Sequence, residues 1–545
     1  MTTGEELTHT TDTSRPVTVG SRLCVASHFG TVRFRGPVPA GSDAIWLGVE
    51  WDDPTRGKHS GTHGGVSYFQ TTVAGSGTFL RESKVGADML PRSLLAAMQE
   101  KYLAAQPTDS VVRLGGAADG VEVETVGWEK IARKVKDGSL LKEVGVADMR
   151  VGFRGGEQGE LGRRFPAIVD LDLSRSLLVW WSDVAEICAE LPQLASLRLA
   201  HNRFASVKED RGAAAQRFLN VKALTLHHTE TPWAEMEEIA ALFPVLEELH
   251  FGFNRLDASP FDPPRDSFAF AHLRLLNLEY NNLTSWSAIK GLGRLPCLTT
   301  LMLNGNAIEN VEVPASNEFA SLTTLSISDN QLSSWAAIHA LNSFPTLTTI
   351  RLQRNPILAN LPPADARSIL TARLANATVL NGAEITERFR RDAELFYLSL
   401  YAKDAATEDP ASFARTHPRH AALVALHGAP AIAPASATST ILKDRVLTLI
   451  FVYGEKTVRK KVPINMGIRP LKVLVARVFK IPDATALVLT KMEEGGGDVE
   501  LDDDLRDVDF YGVESGNKIR VGLYTDIVTL SHRRNAMCIF SLVSP

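Results

Sequence analysis

Within one Gly-rich stretch, the 545-residue chain sets two cations and a histidine among aromatic side chains: Trp46, Lys58, His59, Phe69, Phe79 and Arg81. Lys58 can supply a positive charge, His59 a ring-nitrogen donor and Arg81 a flanking charge, while Trp46, Phe69 and Phe79 can form an apolar slot. Such a set suits a ligand that offers carboxylates together with a ring. The same aromatics can instead be the core of a small module, and Phe69 fits either role equally well. A second group is rich in imidazoles. His201, His227, His228 and His250 fall on neighbouring strands of a repeat, yet no cysteine or carboxylate completes a tetrahedral metal set. Reactive motifs are missing. Gly57-Lys58 is followed by His59, which breaks a phosphate loop, and there is no H-E-x-x-H, nucleophile elbow or C-x-x-C. The chain therefore reads as a binding protein and not an enzyme, with no cofactor and no metal expected.

The larger part of the chain is a scaffold. From Leu141 to Asn355 one phrase, L-x-x-L-x-L-x-x-N, keeps returning, as in Leu194, Leu197, Leu199 and Asn202, or Leu273, Leu276, Leu278 and Asn281. Further copies end on Asn254, Asn306, Asn330 and Asn355, and weaker ones on Met149, Ser176 and Thr229. The nine copies start 24 to 27 residues apart, inside the range of about 20 to 29 for leucine-rich repeats. One short strand and one return cannot bury their apolar faces alone, so the units must stack into an α/β solenoid. Each asparagine amide can satisfy loop backbone groups that no strand reaches. Trp181, Trp233, Trp286 and Trp335 recur on the returns and are expected in the outer layer of the core. Alternation along the strands predicts a concave face carrying Arg198, His201, His227, His228, His250, Phe253, Glu279, Tyr280, Asp329, Arg351 and Arg354. Charge of both signs with two aromatics suits a protein partner. Arg198, His228, His250, Phe253, Tyr280, Arg351 and Arg354 are the candidate contacts.

With 44% hydrophobic and 22% charged residues and a net charge of -5, the composition is that of a globular protein with no general attraction for nucleic acid or membrane surfaces. No apolar run approaches the roughly 18 residues of a membrane span, and the polar first residues lack a signal-peptide core, so a cytoplasmic location is expected. Four scattered cysteines read as packed or free thiols. The expected fold is multidomain. Residues 16–92 form a small β-barrel-like module with strands at Ser21 to Ala26, Thr31 to Arg35, Ile45 to Glu50 and Gly65 to Phe69. Residues 93–140 are a connecting segment with a helix after Pro91, a break at Gly115 to Gly120, and an amphipathic stretch, Glu124 to Lys142, that caps the solenoid. The solenoid with its charged C-terminal capping helix covers 141–401, and 402–440 is an Ala/Pro-rich linker. Residues 441–523 have β-grasp logic: two strands around Gly454, a helix near Pro470, a strand at Leu487, acidic Asp502 to Asp504 and a closing strand. Residues 524–545 form a tail.

Three sets of residues carry resemblances. G-T-V-R-F at Gly30 to Phe34, W-L-G-V-E-W-D at Trp46 to Asp52, G-K-H-S-G at Gly57 to Gly61 and Y-F at Tyr68 to Phe69 resemble a CAP-Gly domain. That resemblance implies a groove for the acidic, aromatic-ended carboxyl tail of α-tubulin, lined here by Lys58, His59, Trp46, Phe69, Phe79 and Arg81. His59 stands where the family usually has asparagine and Ser60 where it has aspartate. D-V-D-F-Y-G-V-E-S-G-N-K-I-R-V at Asp507 to Val521 resembles a ubiquitin-like domain, without a following Gly-Gly, which implies docking and not conjugation. The order of the three modules resembles the tubulin-folding cofactor E family across almost the whole chain. The resemblance implies a chaperone that takes α-tubulin after the cytosolic chaperonin and helps join it to β-tubulin with cofactors B, C and D. Its site of action would be the cytoplasm, in association with the cytoskeleton. Dissociation of heterodimers is a further implied activity. The alternatives are a microtubule plus-end adaptor built on the first module, and a proteasome or ubiquitin-pathway adaptor built on the last.

Overall fold

The computed structural model describes residues 16–38, 43–103, 112–114, 121–123, 138–210, 218–256, 270–429, 446–464, 466–481, 487–492, 498–501 and 506–523. They fall into two compact units, 1–430 and 431–545.

A parallel sheet organises the first unit. Nine short strands, from Glu143–Gly145 through Ser196–Arg198 and Leu275–Asn277 to Thr349–Arg351, pair in chain order, each beginning two residues after the start of a repeat. Their central residues, among them Leu197, Leu224, Leu249, Leu276, Leu301 and Leu325, stand in register and are fully buried. The asparagines tie successive loops together. Asn306 donates from Nδ2 to the carbonyls of Leu278 (3.0 Å) and Leu303 (2.9 Å), and its Oδ1 accepts from the amides of Asn281 (2.9 Å) and Leu283 (3.0 Å). Where Ser176 stands in place of asparagine, the next repeat's Asn202 reaches back and accepts from the Ser176 amide at 3.1 Å. On the returns, Trp181 and Trp286 open helices Trp181–Ala189 and Trp286–Ile289 and are buried, and half-buried Trp233 and Trp335 pack on the same core.

The first end of the solenoid is closed by residues expected to be a connector. The Ser93 hydroxyl accepts from the Ala96 amide at 3.2 Å and starts the helix Leu94–Met98, whose Leu94, Leu95 and Met98 are buried in the solenoid core. Arg92–Ser93 pairs in parallel with Val151–Phe153. Residues 93–103 are thus part of the cap, because the apolar spacing that makes the helix also gives it a face to bury. A short hairpin, Val112–Leu114 with Val121–Val123, flanks the expected break. The break itself and the cap expected over 124–142, up to residue 137, lie outside the described residues.

The other end also departs from expectation. Helix Glu387–Leu400 follows the last repeat, and the region expected as a linker from 402 is helical through His427, in Ala402–Thr407, Pro410–Thr416 and His420–His427. Alanine-rich composition is as compatible with helix as with a spacer, and Leu423 decides the outcome by packing on Ile369, Ala372, Tyr397 and Leu398. The rest of that segment, from residue 430, lies outside the described residues, as does the tail from residue 524.

This end is fastened by a buried guanidinium. Arg373 is 2% exposed. It donates to His339 Nε2 (2.8 Å), the Thr416 carbonyl (2.7 Å) and His417 Nδ1 (3.2 Å), and lies 4.2 Å from the Trp335 ring. Burial first, and the Arg373 charge second, push both His339 and His417 down to about 4. An unfolded histidine titrates near 6.5, so below that value the unfolded chain takes up protons that the folded one refuses. Stability is therefore complete above pH ~6.5 and falls as the pH drops towards ~4. Urea midpoints measured across this window should decline, and the His339→Gln variant, which cannot titrate there, should show a shallower decline. A profile that is flat in both proteins would show that neither imidazole is held neutral.

In the first module, Arg22–Val25, His28–Pro37, Ile45–Trp51 and Gly77–Arg81 form an antiparallel sheet in that order. Leu23, Val32, Leu47, Val49 and Trp51 make its core. The strand expected at Gly65 to Phe69 is not in this sheet: Val66–Ser67 pairs only with Thr62–His63, in a small hairpin of four exposed residues. The fourth strand is Gly77–Arg81, whose Phe79 and Arg81, two residues apart, share one face.

In the second unit, five strands are ordered Lys456–Pro463, Val446–Tyr453, Lys518–Leu523, Leu487–Met492 and Val499–Glu500. The first and last long strands, Val446–Tyr453 and Lys518–Leu523, run parallel in the middle. Helix Ile468–Phe479 packs Ile468, Leu471 and Val475 against Leu447, Leu449, Phe451, Leu489 and Ile519, which is a β-grasp arrangement. The acidic Asp502 to Asp504 lie outside the described residues. Among the described residues of the chain, no helix is long and apolar enough to cross a membrane.

Candidate functional site

Strand pairing in the first module builds a ring-lined surface. Successive residues alternate across a strand, so Leu47 and Val49 enter the core while Trp46 and Gly48 face the other way. Register sets Gly48 beside Phe34 and Phe79, and Trp46 beside Arg81. A Cβ on Gly48 would lie 2.3 Å from the Phe69 ring, so only glycine lets Phe69 lie down on the strand. Phe69 is 7% exposed and belongs to the floor. Phe79 is the centre of the cluster, with ring centroids at 5.0 Å to His59, 5.4 Å to Phe69, 5.6 Å to Tyr68, 6.2 Å to His63 and 6.4 Å to Phe34. Arg81 lies 5.0 Å from the Trp46 ring in the adjoining row. Phe34, Tyr68 and His63 were not selected from the sequence. Phe34 and Tyr68 stand inside the G-T-V-R-F and Y-F motifs, but the place of Phe34 beside Gly48 comes from the pairing of two strands, which alternation along one strand does not supply.

The loop above the cluster is fixed by its own backbone. Lys58 and His59 amides donate to the Gly77 carbonyl at 2.8 and 3.2 Å, and the Gly77 amide donates back to the His59 carbonyl at 2.7 Å. The Ser60 hydroxyl accepts from the Gly75 amide at 2.9 Å, so serine in this position still anchors the loop. The Gly61 amide donates to His59 Nδ1 at 3.0 Å. That nitrogen must be unprotonated, which leaves the ring proton on Nε2. Burial, with His63 nearby, pushes the His59 pKa below its ordinary value, so the ring is a neutral donor near pH 7. Lys58 is exposed. The groove thus offers one ammonium, one neutral N–H and a slot of ring edges, a set that fits a carboxylate beside an aromatic ring.

The solenoid candidates divide into two rows. Arg198, His250 and Arg351 end their strands on the concave face, and Arg198 pairs with Asp170 at 2.7 Å. His201, His228, Phe253, Tyr280, Asp329 and Arg354 do not lie on the strand face. All six have positive φ, between 52° and 61°, and lie beyond the strand ends on the rim. Alternation stops where the chain turns, and a left-handed residue makes the turn into the asparagine loop. The rim rings stack in series: His201 on His228 at 4.4 Å, His228 on Phe253 at 4.5 Å and Phe253 on Tyr280 at 4.5 Å. The next rim residue is Gly305, where a Cβ would meet the Tyr280 ring at 2.3 Å. Asp329 and Arg354 continue the row as a two-contact ion pair at 2.5 and 2.6 Å. Burial pushes His201 down to about 4, with His228 adding to it, and burial followed by Arg203 lowers His228. Such rings pair by stacking. Among the described residues no three His, Cys, Asp or Glu side chains converge as metal ligands.

The family model of the CAP-Gly domain matches residues 19–85. The chain is 31% identical to tubulin-specific chaperone E of Bos taurus over 534 residues, covering 93% of this chain and 99% of that one. It is 30% identical to tubulin-specific chaperone E of Xenopus laevis over 524 residues, 92% of this chain and 97% of the relative. With tubulin-folding cofactor E of Arabidopsis thaliana it shares 29% identity over 512 residues, 90% and 94% of the two chains.

Proposed function

The chain belongs to the tubulin-specific chaperone E family, and from that premise we propose that it is a tubulin-folding chaperone that holds α-tubulin at two linked places. The groove around Lys58, His59 and Phe79 takes the acidic, aromatic-ended carboxyl tail, with Trp46 and Arg81 beside it. The concave face at Arg198, His250 and Arg351, with the rim at His228, Phe253, Tyr280 and Arg354, takes the folded body. One observation carries this reading: the groove module and the solenoid are packed together, with Cys24 and Phe29 against Leu177. Weak capture of a flexible tail then raises the effective concentration of the body at the solenoid.

The reading places the protein in the cytoplasm, acting without catalysis after the chaperonin and handing α-tubulin on to β-tubulin together with cofactors B, C and D. The ubiquitin-like module is a docking domain, with the proteasome as its candidate partner. If heterodimers are also split, the free energy must come from binding free α-tubulin better than paired α-tubulin, because only differential affinity shifts such an equilibrium. The experiment is to mix the purified protein with αβ-tubulin and size the products. A complex containing α-tubulin without β-tubulin is the expected result. Elution of intact heterodimer with unbound protein would refute the capture mechanism, and decoration of the microtubule lattice alone would favour the plus-end adaptor.

A further inference from the structure

Beside the contact between module and solenoid lies a cleft of about 370 Å³, within the range of roughly 300–1,000 Å³ found for ligand sites. The module supplies His28, Asp52 and Asp53 to one wall, and the rim supplies Arg175, His201, Arg203, His228, Phe253 and Arg255, with Glu230 between the arginines. The position of the cleft is informative. Asp53 caps the turn Pro54–Arg56, which runs directly into Gly57, Lys58 and His59 of the groove loop. On the opposite wall, Arg175, His201, His228 and Phe253 each stand three residues after Asp172, Arg198, Thr225 and His250, the ends of concave-face strands. The cleft therefore lies between the loop of the tail groove and the surface read as the body contact.

Its charges are arranged by pairing. Arg22 holds Asp52 through two contacts at 2.6 and 2.5 Å. Arg203 holds Glu230 at 2.9 Å, with Arg255 at 3.8 Å from the same oxygen. Arg175 pairs with Asp148 at 2.9 Å. On the rim wall three guanidiniums thus line the cleft with one carboxylate, and the Arg175 and Arg255 side chains remain 47% and 63% exposed. Each guanidinium has five N–H donors, so these two retain donors for an incoming acceptor. The imidazole and phenyl edges between them form an uncharged wall.

We propose that this cleft receives the stretch of α-tubulin that connects the tail in the groove with the body on the solenoid, an extended and acidic polypeptide segment. The proposal rests on the tail-and-body reading above. An extended chain offers carbonyls and carboxylates to Arg175 and Arg255 and backbone N–H groups to Asp53 and Glu230, which matches the mixed lining. A compact polyanion would meet those two carboxylates as repulsion.

The test uses the full-length protein and two fluorescent peptides. One is the acidic, aromatic-ended tail tip; the other extends the same sequence towards the body by about ten residues, roughly 33 Å when stretched out. The extended peptide should bind at least threefold more tightly than the tip. Arg255→Glu, and separately Arg175→Glu, should abolish that advantage and leave the affinity for the tip unchanged. Equal affinity of the two peptides for the unmodified protein, or an advantage that survives both substitutions, would overturn the proposal. If neither peptide binds, the tail reading fails and takes this inference with it.

Discussion

Asn306→Ala should destabilise the solenoid by about 3–5 kcal/mol, more than most single side-chain truncations. The amide occupies a place that no backbone group can fill. It satisfies two carbonyls, of Leu278 and Leu303, and two amides, of Asn281 and Leu283. Asn306 is 7% exposed, so replacement water has poor access. A buried group left without a partner costs about 1–3 kcal/mol, and some local relaxation will recover part of the loss. Because each repeat is stabilised through its neighbours, the damage falls on two interfaces at once. Asn306→Ser should be milder, since a hydroxyl oxygen can still accept from one of the two amides and a serine, Ser176, already stands at the equivalent place in another repeat. Urea unfolding followed by tryptophan fluorescence checks both, with buried Trp286 on the neighbouring return as a reporter. A loss below about 1 kcal/mol for Asn306→Ala would mean that water replaces the amide, and that the ladder is not what holds the loops.

Phe79→Ala should reduce affinity for the acidic tail by about 10- to 100-fold, and Lys58→Ala only several-fold. Phe79 makes contacts with five other rings of the groove. Its removal takes away the slot for the ligand's ring, and burying one aromatic side chain is worth about 1.5–3 kcal/mol. Lys58 is exposed, and exposed ion pairs contribute about 0.2–1 kcal/mol. The two effects should also separate with salt. The Lys58 contribution shrinks as the Debye length falls from about 10 Å at 0.1 M to 3 Å at 1 M, while the Phe79 contribution persists. Anisotropy titrations at both salt concentrations give the four affinities. Circular dichroism of Phe79→Ala must first show an intact module. If the folded variant then binds as well as the unmodified protein, the ring cluster is only core and the groove must be sought elsewhere.

The sequence by itself determined the repeat register, the number of stacked units and the inward set of leucines and asparagines, because a solenoid uses one local rule in every unit. It also carried Lys58 and His59 in one short Gly-rich motif, and the strand, helix and strand order of the β-grasp. What it could not determine were the features that depend on contacts between distant segments. Phe69 became floor because Gly48, on another strand, leaves room for its ring. Residues 93–103 and 402–427 became caps because the open ends of the core were there to be covered, a fact that no composition of the segments themselves contains. The rim row was misplaced on the strand face for a related reason. Alternation is a property of extended backbone, and His228, Phe253, Tyr280 and Arg354 lie just past the point where the chain turns left-handed. Only the stacked repeats bring those residues into a single series of rings, and only the packing of module against solenoid opens the cleft beside it.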